Sequence, residues 1–265
     1  MKNLVIYNNS WIYILTLTVL KELGIEDFDI LINPYYYNNK SQMFSTNCFL
    51  KLHTDKKILF INEIDFDKYS KVFVAFPFID KDSNLSKNIK DKELFLIEEG
   101  TSSYMDFSSS LSSLEKKLFN KGKFYVTKSE KIKGSIQINL KEICSIGRKF
   151  FFFDLNKLPK STNYIIFTEP MEFEGDIDYP KKVSEFINNL PAGSKILIKR
   201  HPRDDSVYKF ENKNVFYAPK DVPGQFLFSL YKDSVFVFTN YSTVELSMPK
   251  NCKKEVVLST YNQKV

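Results

Sequence analysis

The feature that most constrains this chain is a repeated alternation. Short apolar runs close on polar or glycine-bearing loops, and stretches of helical apolar spacing lie between them. The first run, residues 4–7, stops at Asn8-Asn9-Ser10, where a turn leads into a helix across 11–23 that Gly24 ends. Runs at 29–33, 57–62, 71–76, 94–97 and 124–126 read as strands, a helix is expected across 108–119, and the region around Ile143 closes this half. Residues 150–163, with Pro159 and several lysines, read as a connection. The alternation then restarts, with strands at 164–167, 195–198, 214–217, 234–238 and 255–258 and helices at 183–190, 226–230 and 242–248. Strand, loop, helix, strand is the building unit of a parallel sheet. The expectation is therefore an α/β chain of two Rossmann-like domains, 1–155 and 156–265, facing a central cleft. Ligands of such sheets collect beyond the carboxyl ends of the strands, so functional residues are sought just after them.

Composition narrows the function classes. With 265 residues, 43% hydrophobic and 26% charged, the chain suits two folded domains and not a disordered one. The net charge is +6 and there is no run of five or more Lys or Arg, so no nucleic-acid partner is expected. The mild basic excess suits an anionic substrate or a weak attraction to an acidic membrane surface. Cys48, Cys144 and Cys252 are widely spaced with no C-x-x-C, which points to free thiols in a reducing compartment. His53 and His201 are the only histidines, so no Cys/His metal cluster is expected. Asn8-Asn9-Ser10 breaks the first apolar stretch and no small-residue cleavage site follows, which argues against a signal peptide. No run of about 18 apolar residues suggests a membrane span. A cytoplasmic protein is expected, in peripheral contact at most with the inner face of the membrane.

Three polar clusters follow strands. Glu98-Glu99-Gly100-Thr101-Ser102 puts two carboxylates at a strand end, where one could take a proton from a hydroxyl, and the glycine allows a sharp turn. Alone, it also reads as a solvated strand end. Lys199-Arg200-His201-Pro202-Arg203 sets a histidine among cations, suited to an anion and able to donate to a phosphate leaving group. Alone, it also reads as a basic surface loop. Asn240-Tyr241-Ser242-Thr243 stands at a strand-to-helix junction, where hydroxyls and free N–H groups can hold a phosphate, though Ser242 also serves as a simple helix cap.

Taken together, Glu98-Glu99-Gly100, His201-Pro202 and Ser242-Thr243 resemble the shared motifs of bacterial sialyltransferases: an acidic-acidic-Gly motif, an HP motif and a paired-hydroxyl motif. The lipooligosaccharide type, glycosyltransferase family 52, is the nearest in length and opening. The resemblance spans roughly residues 94–249. It implies the glycosyltransferase-B fold and an inverting, metal-independent transfer of sialic acid from CMP-sialic acid to a terminal sugar, galactose by preference, of a surface glycan such as lipooligosaccharide or capsule. By the same resemblance Glu99 is the general base, with Glu98 the fallback, and His201 serves the departing phosphate. Ser242 and Thr243 bind that phosphate, and Lys199, Pro202, Gln225, Thr168 and Gly100 line the donor nucleotide site. Gln225 stands in a Val-Pro-x-Glu segment where the family has Glu, so a ribose contact there lacks charge assistance. Asn9 and Ser10 are acceptor contacts by their place after the first strand. The implied partners are a nucleotide sugar and a glycan acceptor, with a homodimer compatible. No cofactor and no metal is implied, and Asp176-Ile177-Asp178 reads as a loop and not as a metal motif. A same-fold glycosyltransferase using another nucleotide sugar, a non-catalytic member of the fold and a nucleotide-sugar epimerase are the other readings. The epimerase would be expected to carry more catalytic carboxylates and histidines.

Overall fold

The computed structural model describes residues 2–32, 56–61, 63–76, 85–98, 113–127, 132–151, 155–171, 176–201, 204–211, 214–220, 222–239, 244–245 and 248–256. The chain forms two compact units that divide between Phe150 and Phe151. It is an α/β protein with two sheets, and every strand pairing is parallel.

Unit 1 carries β1 (Lys2–Tyr7), β2 (Phe28–Ile32), β3 (Ile58–Leu59), β4 (Tyr69–Phe76), β5 (Glu93–Glu98), β6 (Lys123–Val126) and β7 (Ile136–Gln137) in the order β3-β2-β1-β4-β5-β6-β7. Its described helices are α1 (Ser10–Glu22), α2 (Leu85–Ile89), α3 (Ser113–Lys121) and α4 (Leu140–Phe150). Parallel strands covered on both faces read as near-continuous apolar runs, and the burial of β1, β2, β4 and β5 follows that rule. Leu4, Ile6, Val72, Val74, Leu94 and Leu96 pack one face toward Leu85, Ile89 and Leu118 of α2 and α3. On the same strands Phe73 and Phe95 stack at 4.4 Å, and Phe95 continues to Tyr125 at 6.1 Å. The Asn9 side chain accepts from Ile12 N at 3.0 Å and so caps α1.

Unit 2 carries β8 (Tyr164–Thr168), β9 (Lys195–Arg200), β10 (Asn214–Ala218), β11 (Val235–Phe238) and β12 (Lys253–Val256) in the order β10-β9-β8-β11-β12. Its described helices are α5 (Tyr179–Asn189) and α6 (Gln225–Leu230). The alternation along the strands separates two cores. Ile165, Phe167, Leu197, Phe236 and Phe238 meet Leu227 and Phe228 of α6, while Ile166, Ile196, Ile198 and Val237 meet Val183 and Ile187 of α5.

In both units the chain starts mid-sheet, builds outward to one edge, then crosses back and builds toward the other. This is the Rossmann strand order 3-2-1-4-5, extended by two strands in unit 1. Sheets of this order hold ligands in a crevice outside the carboxyl ends of the strands on either side of the crossing, here β1 and β4 in unit 1 and β8 and β11 in unit 2.

Most expected strands lie where the apolar runs place them, with some differences. The run at 57–62 pairs only over Ile58–Leu59. The region around Ile143 is helical, and α2 and β7 were not anticipated. Of the expected helix 242–248, Val244 and Glu245 fall in a 3-10 turn, Met248 lies outside any helix with its N–H donating to Glu245 O at 3.0 Å, and the rest lies outside the described residues.

Candidate active site

The carboxyl edge of the unit 2 sheet is closed by side chains. His201 follows β9, and its N–H donates to the carbonyl of Thr168, the last residue of β8, at 3.0 Å. The β8–β9 ladder therefore runs one rung past the strand ends. The chain then turns, with Asp204 N donating to His201 O at 2.9 Å. Asp204 is buried, with 1% of the residue exposed. Its Oδ2 accepts from the Thr168 hydroxyl and from the Tyr208 hydroxyl at 2.7 Å, and its Oδ1 accepts from Ser206 N at 3.0 Å. Arg200 Nε stands 3.7 Å from Oδ2 and makes no hydrogen bond, while Nη2 of the same guanidinium donates to Ser206 O at 3.0 Å.

A second chain of hydrogen bonds joins the ends of β8 and β11. Thr239, just after β11, donates both its N–H and its hydroxyl to Phe167 O, at 3.2 and 2.9 Å. With that proton assigned, the Tyr179 hydroxyl donates to Thr239 Oγ1 and accepts from Glu169 N at 2.8 Å. Tyr179, at the start of α5, thus ties the ends of β8 and β11 together. Burial, before any other influence, pushes the hydroxyls of Tyr179 and Tyr208 far above the ordinary tyrosine range, so both are neutral donors at physiological pH.

Lys199 and the Gln225 segment make more local contacts. Lys199 is 6% exposed, and its ammonium donates to the carbonyls of Arg200 and Lys220, each at 2.9 Å, joining the end of β9 to the loop after β10. Gln225 opens α6 and is half-buried. Gly224 before it is held by packing: a Cβ there would stand 2.6 Å from Phe167 Cε1 and 3.0 Å from Val244 Cγ1. This contact brings the Val222-Pro223-Gly224-Gln225 segment against β8 and against Val244, the residue after the hydroxyl pair. Pro202, Ser242 and Thr243 lie outside the described residues.

In unit 1, Glu98 ends β5 and is 2% exposed. Its carboxylate accepts from Thr127 N at 2.8 Å and from the Thr127 hydroxyl at 2.7 Å. The Gln137 amide donates in turn to Thr127 O, so the ends of β5, β6 and β7 are linked through side chains. Ser10 meets the Tyr7 hydroxyl at 3.2 Å beside the Asn9 cap, at the crevice end of β1. Glu99 and Gly100 lie outside the described residues.

The structure thus brings Thr168 and His201 into one ladder, and the Gln225 segment beside Val244. Sequence reasoning passed over Asp204, Tyr179, Thr239 and Thr127. The one available signal was Pro202 at the second position of a four-residue span from His201 to Asp204, where proline favours a β-turn. Among the described residues no group of three or more His, Cys, Asp or Glu is placed to hold a metal ion, and no helix is long and apolar enough to cross a membrane.

No protein-family profile matches the sequence, and no curated protein is significantly similar to it. Solved structures share its outline at low similarity. MurG from Acinetobacter baumannii is 9% identical, with 93% of this chain and 75% of that chain covered and a TM-score of 0.43. The spinosyn forosaminyltransferase SpnP is 10% identical over 97% of this chain and 80% of that chain, with a TM-score of 0.44. The spinosyn rhamnosyltransferase SpnG, complexed with spinosyn aglycone, is 11% identical over 93% and 77%, with a TM-score of 0.40.

Proposed function

We propose that this chain is a glycosyltransferase of the glycosyltransferase-B type, and that it moves sialic acid from CMP-sialic acid to a terminal sugar of a surface glycan. The observation that carries this reading is the place of His201. It directly follows the second strand of a Rossmann-ordered sheet and is hydrogen-bonded to Thr168 at the end of the first, the strand that borders the crossing where such sheets hold nucleotides. The segment containing Gln225, the ribose-binding position of the sialyltransferase pattern, packs beside Val244, which follows the hydroxyl pair in sequence.

In this reading unit 2 binds the nucleotide. His201 donates to the departing phosphate, and Ser242 and Thr243 add donors to the charge that grows on it. Thr168, Lys199, Pro202 and Gln225 shape the nucleotide site, with Lys199 acting through the two carbonyls that it holds. Unit 1 supplies the base. The two hydrogen bonds that Thr127 gives Glu98 occupy both carboxylate oxygens in tying the ends of β5 and β6 together. That favours Glu99 as the residue that takes the acceptor proton, with Gly100 beside it and Asn9 and Ser10 toward the acceptor. Residues already present supply the charge stabilisation, so no metal is called for. The sequence observation that favours a second donor is Gln225 in place of Glu, which weakens the grip on a ribose and leaves a uridine sugar nucleotide as the alternative.

Calorimetric titration with CMP and with UDP decides between them. CMP binding that weakens at least tenfold in Gln225→Ala, with UDP bound far more weakly, is the expected result. Preferential UDP binding would overturn the donor assignment and leave the α/β architecture standing.

A further inference from the structure

We infer that Asp204 is a positioning residue for His201: it fixes the turn that presents the histidine, through a buried carboxylate shared by Thr168, Tyr208 and Ser206. The inference rests on the role proposed for His201.

The turn is held at both ends and from behind. At its start, His201 N donates to Thr168 O, and at its close Asp204 N donates to His201 O. The same Thr168 also gives its hydroxyl to Asp204 Oδ2, so one residue at the end of β8 grips the turn twice. The Asp204 side chain has no solvent exposure, whereas a carboxylate that merely decorated a loop would face water. Each oxygen has a donor, and the Arg200 guanidinium supplies a compensating charge at 3.7 Å. Arg200 also lies over the Tyr208 ring at 5.9 Å, which backs the residue that donates to Asp204. A buried ionised carboxylate is tolerated only with such satisfaction, and a network of this kind fixes one geometry. Thr168 accordingly serves the site by holding the turn, its hydroxyl directed to Asp204 and 1% of its surface exposed.

The test uses the fact that His53 and His201 are the only histidines. Their imidazole carbon-bound proton resonances are assigned with His201→Ala, and turnover of CMP-sialic acid is followed on the same samples. Asp204→Asn and Thr168→Val are expected to move or broaden the His201 resonance and to lower kcat by about tenfold to a hundredfold with little change in KM. Thr168→Ser, which keeps the hydroxyl, is expected to restore both. Tyr208→Phe provides a milder disturbance of the same carboxylate should Asp204→Asn fail to fold. An unchanged His201 resonance in folded Thr168→Val and Tyr208→Phe overturns the inference, whatever the activity. A displaced resonance in a protein whose wild type releases no CMP upholds the positioning of His201 and overturns the sialyltransferase reading alone.

Discussion

At the carboxyl edge of unit 1, a carboxylate is held by the neighbouring strand: Glu98 ends β5 and takes two hydrogen bonds from Thr127 at the end of β6. At the matching edge of unit 2, the buried carboxylate belongs to Asp204, three residues beyond the histidine, and the Asp204 N–H closes a turn onto the histidine's carbonyl. The strand orders begin alike, so topology alone does not separate these edges. The lesson lies in what each acid is bonded to. A carboxylate that ties neighbouring segments together is part of the scaffold, and the proposed reading gives the chemistry to Glu99 in one unit and His201 in the other.

The largest expected effect is at Glu98. Glu98→Ala strands a buried N–H and a hydroxyl of Thr127 and should cost about 2–3 kcal/mol. Trp11, the only tryptophan, lies in α1 of unit 1, so the urea midpoint of its fluorescence reports this loss. Glu98→Gln, which keeps an acceptor, should lose less stability and retain turnover. A stable Glu98→Gln protein without turnover would make Glu98 the base and reverse the comparison.

Next comes Gly224. Its φ of −57° is open to any residue, so the expected penalty comes from crowding alone. Gly224→Ala drives a methyl into Phe167 and Val244, and a loss of about 1–3 kcal/mol should appear as a lowered melting temperature. Adding Phe167→Leu should recover part of it, and strict additivity of the two changes would show that the contact is not the cause.

Alkaline pH should act more gradually, and more on unit 2. Tyr179 and Tyr208 there, and Tyr69 in unit 1, are raised above the ordinary tyrosine value of 10.0, chiefly by burial. A group whose proton is bound more tightly in the folded state contributes stability that is complete below its unfolded pKa and lost as pH rises beyond it. Stability should therefore hold to about pH 10 and fall above it. Hydrogen exchange should show β8 and β11 opening before β4, and the reverse order would contradict the placement of the two hydroxyls. The smallest effect is at Asp205, whose carboxylate pairs with Lys220 at 2.5 Å but is 91% exposed. Lys220 holds that carboxyl below its usual range, yet Asp205→Ala should leave the melting temperature unchanged.

Much of the scaffold was legible because a parallel strand covered on both faces must be apolar throughout, as at 71–76, 94–97 and 164–167. The order of the strands was not, since pairing depends on contacts far apart in sequence. β7 is only two exposed residues, Ile136 and Gln137, too short to leave an apolar run. α4 was missed although its apolar positions have helical spacing, because no glycine or proline marks its ends. In the site, His201 and Glu98 stood out as members of polar clusters that follow apolar runs. Asp204 did not, because the hydroxyls that define it come from Thr168 and Tyr208, on other segments. Lys199 shows the opposite case: a lysine beside a histidine suggests an anion, while its ammonium is held by two backbone carbonyls.

The central claim is tested most directly by CMP release from CMP-sialic acid in the presence of a galactose-terminated acceptor and a chelator, comparing wild type with His201→Ala and Glu99→Ala. The account predicts release by the wild type that each substitution lowers at least a hundredfold, within the range that general acid-base groups contribute. Release that survives both substitutions, or no release by a wild type that turns over a uridine sugar nucleotide, would contradict it.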